Sequence, residues 1–369
     1  MKFFPGRKLV FAAAAALALT SSAVMAQSKT LNVYNWSDYI GEKTIANFEK
    51  ETGIKVRYDN FDTNEILHAK LVAGKTGYDI VIPSSNWAKI QIEGGLLQPL
   101  DKSKISNWKN LDAWWMQNLA TMDPGNNFIV PWAGGITTVG INVDKLKAAL
   151  GGMPMPDNVW DLVFKPEYIT KAKSCGVSFL DSADEILPAA LRYLGKPAYS
   201  ANKSDYEVAS QLLKSIRKGV TLFSSSGYTN DMASGSVCLA LGWNGDIGIA
   251  AQRAKDAKNG NNIEALVPKT GAVLFFDAMA IPADAANVEN AHKFINYMLR
   301  PDVQAEMFNT IAYRGPVRSA DKLIEPARVA NKAVYMTPEV EKLMVPPEMV
   351  GNDIRRLRTR LFTGFKTGL

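Results

Sequence analysis

Three apolar strands alternate with three amphipathic helices in the first third of the chain. The strands show alternating or short continuous apolar patterns, and each helix ends at a glycine or at a pair of glycines. The strands are predicted over residues 31–36, 54–58 and 78–82, and the helices over residues 45–52, 64–73 and 87–93. This order and spacing predict βαβ units, and therefore a parallel sheet.

A second α/β unit is predicted from about Gly134 onward. Its strands are predicted over residues 138–142, 174–180, 237–243 and 272–282. Its helices are predicted over residues 144–150, 186–194, 206–216 and 288–299, with two further helical pieces within residues 337–366. The chain has 369 residues, which exceeds the usual size of one domain, so we expect two domains.

The first 26 residues have the order of a secretory signal peptide. Lys2, Arg7 and Lys8 precede an apolar run over residues 9–19, and small or short apolar residues lead to Ala26. An apolar run of about 11 residues is too short for a membrane anchor, which needs roughly 20. We therefore predict cleavage after about Ala26 and export to the periplasm. Removal of the signal leaves about +3 of the formal charge of +6, which gives no reason to expect a nucleic-acid partner.

Cys175 and Cys238 are the only cysteines, and in an exported protein two cysteines most often pair. A metal site is the rival interpretation, although His68 and His292 would complete a poor ligand set. A Cys-His nucleophile pair also stays open. The sequence contains no phosphate loop, dinucleotide fingerprint or nucleophile elbow, so we expect neither an enzyme nor a cofactor.

Aromatic residues stand beside acids at the ends of three predicted strands. The three sites are Trp36-Ser37-Asp38-Tyr39, Trp243 with Asp246, and Phe275-Phe276-Asp277. The loops at residues 36–39 and 84–87 both follow strands of one parallel sheet, at the edge where such sheets bind ligands. An acid inside an apolar strand, as at Asp277, needs a positive partner. Aromatic faces and carboxylates together favour a slender organic cation as the ligand.

Several ordered segments make the chain resemble the periplasmic polyamine-binding proteins of ABC importers, most of all their putrescine-binding branch. These segments are residues 33–40, 48–56, 98–104 and 174–181, Gly242-Trp243 with Gly245-Asp246, and residues 275–277. The resemblance implies a type II periplasmic binding protein fold, with two α/β lobes joined by hinge strands and a ligand cleft between them. It implies a signal peptide at residues 1–26, a first lobe from residues 27–135 and 277–321, and a second lobe from residues 136–276 and 322–369.

The resemblance also implies a ligand, partners and a set of site residues. The ligand would be a putrescine-like diamine, with cadaverine, agmatine and spermidine as further candidates, and a monomer would deliver it to an ABC permease. Aromatic walls, ammonium partners and polar contacts would come from Trp36, Ser37, Asp38, Tyr39, Ser84, Asp184, Ser225, Trp243, Asp246, Phe275, Asp277 and Tyr313. Cys175 and Cys238 match the disulfide of the family.

Some positions depart from the family pattern. Gly134 and Gly135 replace bulky residues and would open space or loosen the hinge, Asn86-Trp87 replaces a Ser-Phe-like pair, and Arg314 follows the pocket tyrosine. An arginine there suggests an alternative ligand with one ammonium and one carboxylate, such as 4-aminobutyrate or 5-aminovalerate, unless Arg314 points to solvent. Two further alternatives are a polyamine sensor of the same fold and an exported hydrolase or lyase that uses Asp184, Glu185 or Asp246.

Overall fold

The computed structural model describes Met1 and residues 29–369. The predicted signal peptide therefore lies outside the described residues. No helix in the described part of the chain combines the length and the apolar character that a membrane crossing requires.

Ten strands and sixteen α-helices form the described part of the chain. The strands are β1 (Thr30–Trp36), β2 (Lys55–Phe61), β3 (Ile80–Val81), β4 (Leu97–Gln98), β5 (Ile129–Asn142), β6 (Val177–Phe179), β7 (Leu222–Phe223), β8 (Leu239–Trp243), β9 (Ile263–Leu266) and β10 (Leu274–Pro282). The helices of the first two thirds are α1 (Thr44–Thr52), α2 (Asn64–Ala73), α3 (Ser85–Glu93), α4 (Ala113–Leu119), α5 (Val143–Leu150), α6 (Asp161–Phe164), α7 (Pro166–Ala172), α8 (Ala183–Tyr193), α9 (Lys203–Ile216), α10 (Tyr228–Ser234) and α11 (Asn244–Asp256). The last third contains α12 (Val288–Met298), α13 (Pro301–Ile311), α14 (Pro326–Val329), α15 (Pro338–Glu341) and α16 (Asn352–Thr367). Short 3₁₀ helices cover Lys102–Lys104, Ser106–Asn110, Lys173–Cys175, Arg217–Gly219 and Arg318–Leu323.

The helices of the first βαβ units begin and end where local chemistry dictates. The Thr63 hydroxyl accepts a hydrogen bond from the Ile66 amide and caps α2. Gly53 closes α1 with a φ of 70°, a left-handed conformation that suits glycine. The start of α2 and the end of α1 agree with the predicted helices.

The strands form one mixed sheet in the order β2-β1-β3-β10-β5-β8-β6-β7, with β4 beside β10 and β9 beside β5. The first strands β2, β1 and β3 are parallel, as predicted. At the other end of the sheet, β8, β6 and β7 are also parallel. Between these parallel groups, β10 and β5 run antiparallel to each other and to their neighbours. The mixed α/β architecture of a type II binding protein is confirmed.

Strands β5 and β10 connect the two halves of the sheet. β5 is 14 residues long and buried throughout, whereas the predicted strand covered only its last five residues. Its first half pairs with β10, from Ile129 opposite Ala280 to Ile136 opposite Leu274. Its second half pairs with β8 and β9. The pair β5–β10 is therefore the hinge between the halves.

The hydrophobic core is divided in the same way. Two clusters pack residues from β1, β3, the first half of β5, β10 and helices α12 and α13. A third cluster packs residues from the second half of β5, β6, β8, helices α5–α11 and α16. We call the elements around the first two clusters the first lobe and those around the third cluster the second lobe. The domain bounds given above at residues 135, 276 and 321 stay a prediction.

Gly134 and Gly135 lie in the hinge, where neighbouring groups already fill the space beside them. A β-carbon on Gly134 would approach the Phe275 carbonyl oxygen to 2.7 Å, and one on Gly135 would collide with the Asn244 side chain. Both residues sit opposite Phe275 and Phe276 in the β5–β10 register. Beside Phe275 and Asn244 the glycines therefore open no space: they allow close packing of the hinge against an aromatic side chain, and a looser hinge stays a prediction.

The predicted disulfide is present between Cys175 and Cys238, with Cα atoms 5.5 Å apart and a sequence separation of 63. It joins the 3₁₀ turn before β6 to the residue before β8, within the second lobe. No free cysteine stands among the described residues. The Cys-His nucleophile is therefore excluded for the oxidised protein.

We expect Cys175→Ala/Cys238→Ala to lower the free energy of unfolding by about 4 kcal/mol, the loop-closure entropy for a loop of this length. Urea denaturation followed by circular dichroism measures this loss. Reductant should destabilise the parent protein similarly and leave the double variant unchanged. Equal urea midpoints for both proteins would contradict a stabilising role for the bond.

Candidate ligand-binding site

A cleft lies between the two lobes beside the hinge, and its empty space, including the part open to solvent, is about 750 Å³. All twelve site residues implied by the family resemblance line it, and their roles towards a ligand stay predictions. The lining comprises Trp36, Ser37, Asp38, Tyr39, Phe61, Asp62, Thr63, Asn64, Glu65, Ser84, Trp87, Ser182, Asp184, Glu185, Ser225, Ser226, Thr229, Trp243, Asp246, Phe275, Asp277 and Tyr313.

The cavity wall is acidic although the chain as a whole is basic. Seven of the lining residues are aspartate or glutamate, and none of the 22 is lysine, arginine or histidine. Carboxylates in a partly enclosed space repel one another and lose hydration, so they favour a cation over any neutral or anionic ligand. The cavity therefore has the electrostatics of a site for organic cations.

Asp277 lies at the hinge, beside a bulge in β10, and its residue is only 4% exposed. The Ser84 hydroxyl donates a hydrogen bond to Oδ1 at 2.7 Å, and the Tyr39 hydroxyl donates one to Oδ2 at 2.9 Å. Desolvation raises the pKa of Asp277 to about 7, against the opposing effect of these two hydrogen bonds. Among the described residues, neither carboxylate oxygen has an arginine or lysine within ion-pair distance.

Asp246 lies in the first turn of α11, in the second lobe. The Tyr313 hydroxyl of the first lobe donates to Oδ1 at 2.6 Å, and the Tyr228 hydroxyl donates to Oδ2 at 3.1 Å. Desolvation raises the pKa of Asp246 to about 6. Like Asp277, Asp246 is held by hydroxyl groups, and it forms no ion pair with a lysine or arginine of the described residues.

Five aromatic rings follow one another around the cavity. Trp36 lies 6.1 Å from Trp243, Trp243 lies 6.3 Å from Phe275, and Phe275 lies 5.9 Å from Tyr313 between ring centroids. Tyr313 lies 5.1 Å from Tyr39. The rings meet edge to face, an arrangement that holds each ring in place and gives walls for methylene groups and ammonium ions.

Glu185 is a cavity carboxylate that the sequence interpretation did not place among the ligand-binding residues. Desolvation raises its pKa to about 7, while hydrogen bonds from Thr137 and Trp243 oppose the rise. Its neighbour Asp184, which was chosen instead, forms an ion pair of 2.8 Å with Arg358 and accepts a hydrogen bond of 2.9 Å from Trp87. The family resemblance selected Asp184, and its ion pair could not be predicted from the sequence because Arg358 is distant along the chain.

Asp38 and Ser37 lie at the mouth of the cavity. Asp38 is exposed, has a φ of 55°, and forms an ion pair of 2.8 Å with Arg253 of the opposite lobe. Its charge is therefore already partnered across the cleft. Ser225, by contrast, stays within the second lobe, where its hydroxyl accepts a hydrogen bond from the Asp181 amide at 3.1 Å.

Arg314 is directed away from the cavity. Its guanidinium pairs with Glu341 at 2.6 Å and lies 5.8 Å from the centroid of the Tyr335 ring. Arg314 and Glu341 line a second cavity together with Gly134 and Gly135, outside the cleft between the lobes. Arg314 thus points neither freely to solvent nor towards a ligand between the lobes.

The two histidines have structural surroundings. His292 accepts a hydrogen bond from the Asp101 amide at 2.9 Å, and the His68 ring packs 5.4 Å from Trp87. Within residues 29–369, no cluster of histidine, cysteine, aspartate and glutamate could hold a metal ion.

Known proteins are similar to this chain in sequence and in fold. The profile of the family described as bacterial extracellular solute-binding protein matches residues 43–337. The chain is 46% identical over 357 residues to the putrescine-binding periplasmic protein PotF of Escherichia coli (strain K12), with 96% of each chain covered. It is 45% identical over 362 residues to the putrescine-binding periplasmic protein SpuD of Pseudomonas aeruginosa (strain UCBPP-PA14), with 98% of each chain covered. The solved structure of the spermidine/putrescine ABC transporter substrate-binding protein PotD from Streptococcus pneumoniae is 29% identical, with a TM-score of 0.73 over 92% of this chain and 99% of that one.

The raised carboxyl pKa values predict how the ligand-free protein responds to pH. A carboxyl whose folded pKa exceeds its unfolded value stabilises the fold at low pH, and this stabilisation is lost as pH rises through the folded pKa. For Asp277, with a folded pKa of about 7, the loss accumulates above the unfolded pKa and is complete above about pH 7. We expect Asp277→Asn to raise the melting temperature at pH 8 and to show a much smaller advantage at pH 5.

Thermal melts of ligand-free parent and variant at several pH values measure this difference. Asp144→Asn, an exposed acid in the first turn of α5, is the matched control and should show no such pH dependence. His68 contributes with the opposite sign, because desolvation lowers its pKa, but it acts equally in parent and variants. A constant difference between parent and Asp277→Asn from pH 5 to pH 8 would contradict the prediction.

Proposed function

The chain belongs to the bacterial extracellular solute-binding protein family, and we propose that within this family it captures putrescine or a similar small polyamine for an ABC importer. It is a binding protein, not an enzyme. The observation that carries the choice of ligand is a set of cavity carboxylates, Glu185, Asp246 and Asp277, whose pKa values are raised and which form no ion pair with a lysine or arginine of the described residues.

A diamine meets the chemical needs of this cavity. Its ammonium groups supply the positive charge that the carboxylates lack, and charge-assisted hydrogen bonds fix their positions. Its methylene groups pack against Trp36, Trp243 and Phe275. The tyrosine hydroxyls of Tyr39 and Tyr313 already orient the carboxylates, so little reorganisation accompanies binding.

The cavity gives no comparable support to an ω-amino acid. The carboxylate of such a ligand would need a cationic partner, and the lining residues include none. Arg314, the residue that suggested this alternative, is paired with Glu341 outside the cavity. A carboxylate among seven protein acids would be repelled, so the diamine is favoured.

Binding is coupled to closure of the lobes. Tyr313 and Asp246, Trp87 and Asp184, and Asp38 and Arg253 join the first lobe to the second across the cleft. A cation held between carboxylates of both lobes stabilises the closed arrangement, and closure gives the outer surface a distinct shape for a permease to recognise. In this proposal the protein works as a monomer in the periplasm after cleavage near Ala26.

We expect putrescine to raise the melting temperature of the parent protein, because only the folded form binds it. 4-Aminobutyrate and 5-aminovalerate should not do so. Asp277→Asn and Trp243→Ala should each weaken putrescine binding by at least about 30-fold, since each loses a charge or a cation–aromatic wall. Isothermal titration calorimetry measures the affinities.

Asp144→Asn is again the control and should bind like the parent. A melting temperature raised by an ω-amino acid, and by no polyamine, would overturn the choice of ligand. Unchanged affinity in both Asp277→Asn and Trp243→Ala would place the ligand outside this cavity.

The pair between Asp38 and Arg253 generates a kinetic prediction. It lies at the cavity mouth and is partly exposed, so it contributes little to stability but bridges the lobes when they are closed. We expect Arg253→Gln to speed putrescine release about three- to tenfold and to change the association rate less. Stopped-flow tryptophan fluorescence measures both rates.

Lys255→Gln, two residues further along α11, serves as its control, because no ion pair with the first lobe involves Lys255 among the described residues. Equal release rates for the parent and Arg253→Gln would show that the ion pair with Asp38 does not hold the lobes closed.

A further inference from the structure

A short segment, residues 242–246, supplies both an aromatic ring and a carboxylate to the cleft. A β-carbon on Gly242 would come within 2.6 Å of the Tyr228 ring. One on Gly245 would come within 2.3 Å of the Tyr313 ring. Such close contacts need a residue without a β-carbon at both positions. Two glycines in this segment therefore make room for two tyrosine rings, one from each lobe.

The two tyrosine hydroxyls meet at the carboxylate of Asp246. The Tyr313 hydroxyl accepts a hydrogen bond from the Asp246 amide at 3.2 Å and donates to Oδ1 at 2.6 Å. The Tyr228 hydroxyl accepts one from the Trp243 amide at 2.9 Å and donates to Oδ2 at 3.1 Å. Because each hydroxyl receives an amide proton, its own single proton is directed at the carboxylate. Each oxygen of Asp246 therefore has a fixed donor, which favours the ionised form.

Tyr228 differs from Tyr313 in its position relative to the cleft. Its residue is only 1% exposed and does not line the cleft. It begins α10 and packs in the core of the second lobe, which also carries Asp246, so its hydrogen bonds stay within one lobe. Tyr313 instead reaches Asp246 from the first lobe. Of the two tyrosines, only Tyr228 can hold Asp246 at any separation of the lobes.

We propose that Tyr228 is a positioning residue, which holds Trp243 and Asp246 in their ligand-binding arrangement without touching the ligand. This inference rests on the proposed function. One buried hydroxyl fixes the backbone from which the Trp243 ring projects and also orients the Asp246 carboxylate. An ammonium group in the cleft thus meets an oriented, ionised carboxylate beside an aromatic ring.

Other charged groups also act on Asp246. Desolvation raises its pKa to about 6 and the two tyrosine hydroxyls oppose the rise, while Asp38 raises the pKa further and Arg253 lowers it. Asp277 and Glu185 add negative charge nearby. All four of these neighbours remain when a single hydroxyl is removed, so the effect of that hydroxyl can be isolated.

We expect Tyr228→Phe to weaken putrescine binding, and to do so more strongly as the pH falls. Without a donor at Oδ2, the pKa of Asp246 rises further, so this carboxyl loses its charge over a wider acidic range. The ratio of the dissociation constants of variant and parent should grow about fivefold between pH 8 and pH 5.5. This is less than the roughly tenfold effect of a hydrogen bond to a charged group, because Asp246 is not fully protonated at pH 5.5. Isothermal titration calorimetry at several pH values measures the ratio.

Tyr193→Phe is the matched control. The Tyr193 hydroxyl also donates to an aspartate of the second lobe, Asp161, at 2.9 Å, but neither residue lines the cleft. This variant should bind putrescine like the parent at every pH. Gly242→Ala is a second test, because its β-carbon would displace the Tyr228 hydroxyl without removing it. It should weaken binding with the same dependence on pH as Tyr228→Phe.

The outcomes separate this inference from the function on which it rests. A parent protein that does not bind putrescine contradicts the proposed function. A parent that binds putrescine, with Tyr228→Phe either unchanged or weaker by the same factor at every pH, overturns only the role of Tyr228. If circular dichroism shows that Tyr228→Phe does not fold, Gly242→Ala decides by the same criterion.

Discussion

Carboxylates that form no ion pair with the described residues, placed in a cleft between two lobes, are the constraint that organises this molecule. Asp277 and Asp246 lose hydration there, and hydroxyl groups of Tyr39, Ser84, Tyr313 and Tyr228 replace only part of it. Desolvation consequently raises both pKa values. Such groups destabilise a fold unless something outside the chain brings positive charge. Aromatic walls, cross-cleft contacts and hinge strands all serve to admit and enclose that charge.

The hinge strands also supply residues to the ligand cavity. The strand pair β5–β10 carries Phe275 and Asp277, which face the ligand cavity, and Gly134 and Gly135, which allow the backbone to pass close to Phe275 and Asn244. The same strands thus form the floor of the cavity and the connection between the cores. Because each lobe has its own hydrophobic cluster, the lobes can move as rigid bodies while pairing in the hinge persists.

Local patterns in the sequence predicted much of the fold, and long-range pairing accounts for what they missed. Helix α2 has the predicted bounds, and the loops after β1 and β3 meet at one sheet edge, because periodicity and strand direction depend on near neighbours. The first half of β5 was missed because Pro131, Gly134 and Gly135 interrupt its apolar pattern. The resemblance gave the cavity residues, and their roles towards a ligand stay predictions. The ion pair between Asp184 and Arg358, 174 positions away, is a long-range contact that no local pattern predicts.

The division of the core into separate clusters also has a consequence for evolution. Asp277, Tyr39 and Ser84 belong to the first lobe, whereas Asp246, Glu185 and Tyr228 belong to the second, and Tyr313 joins the two sets through Asp246. Because the hydrophobic clusters behind the two sets are separate, a substitution that reshapes one set leaves the packing behind the other intact. The two walls of the cleft can therefore change independently in the course of evolution.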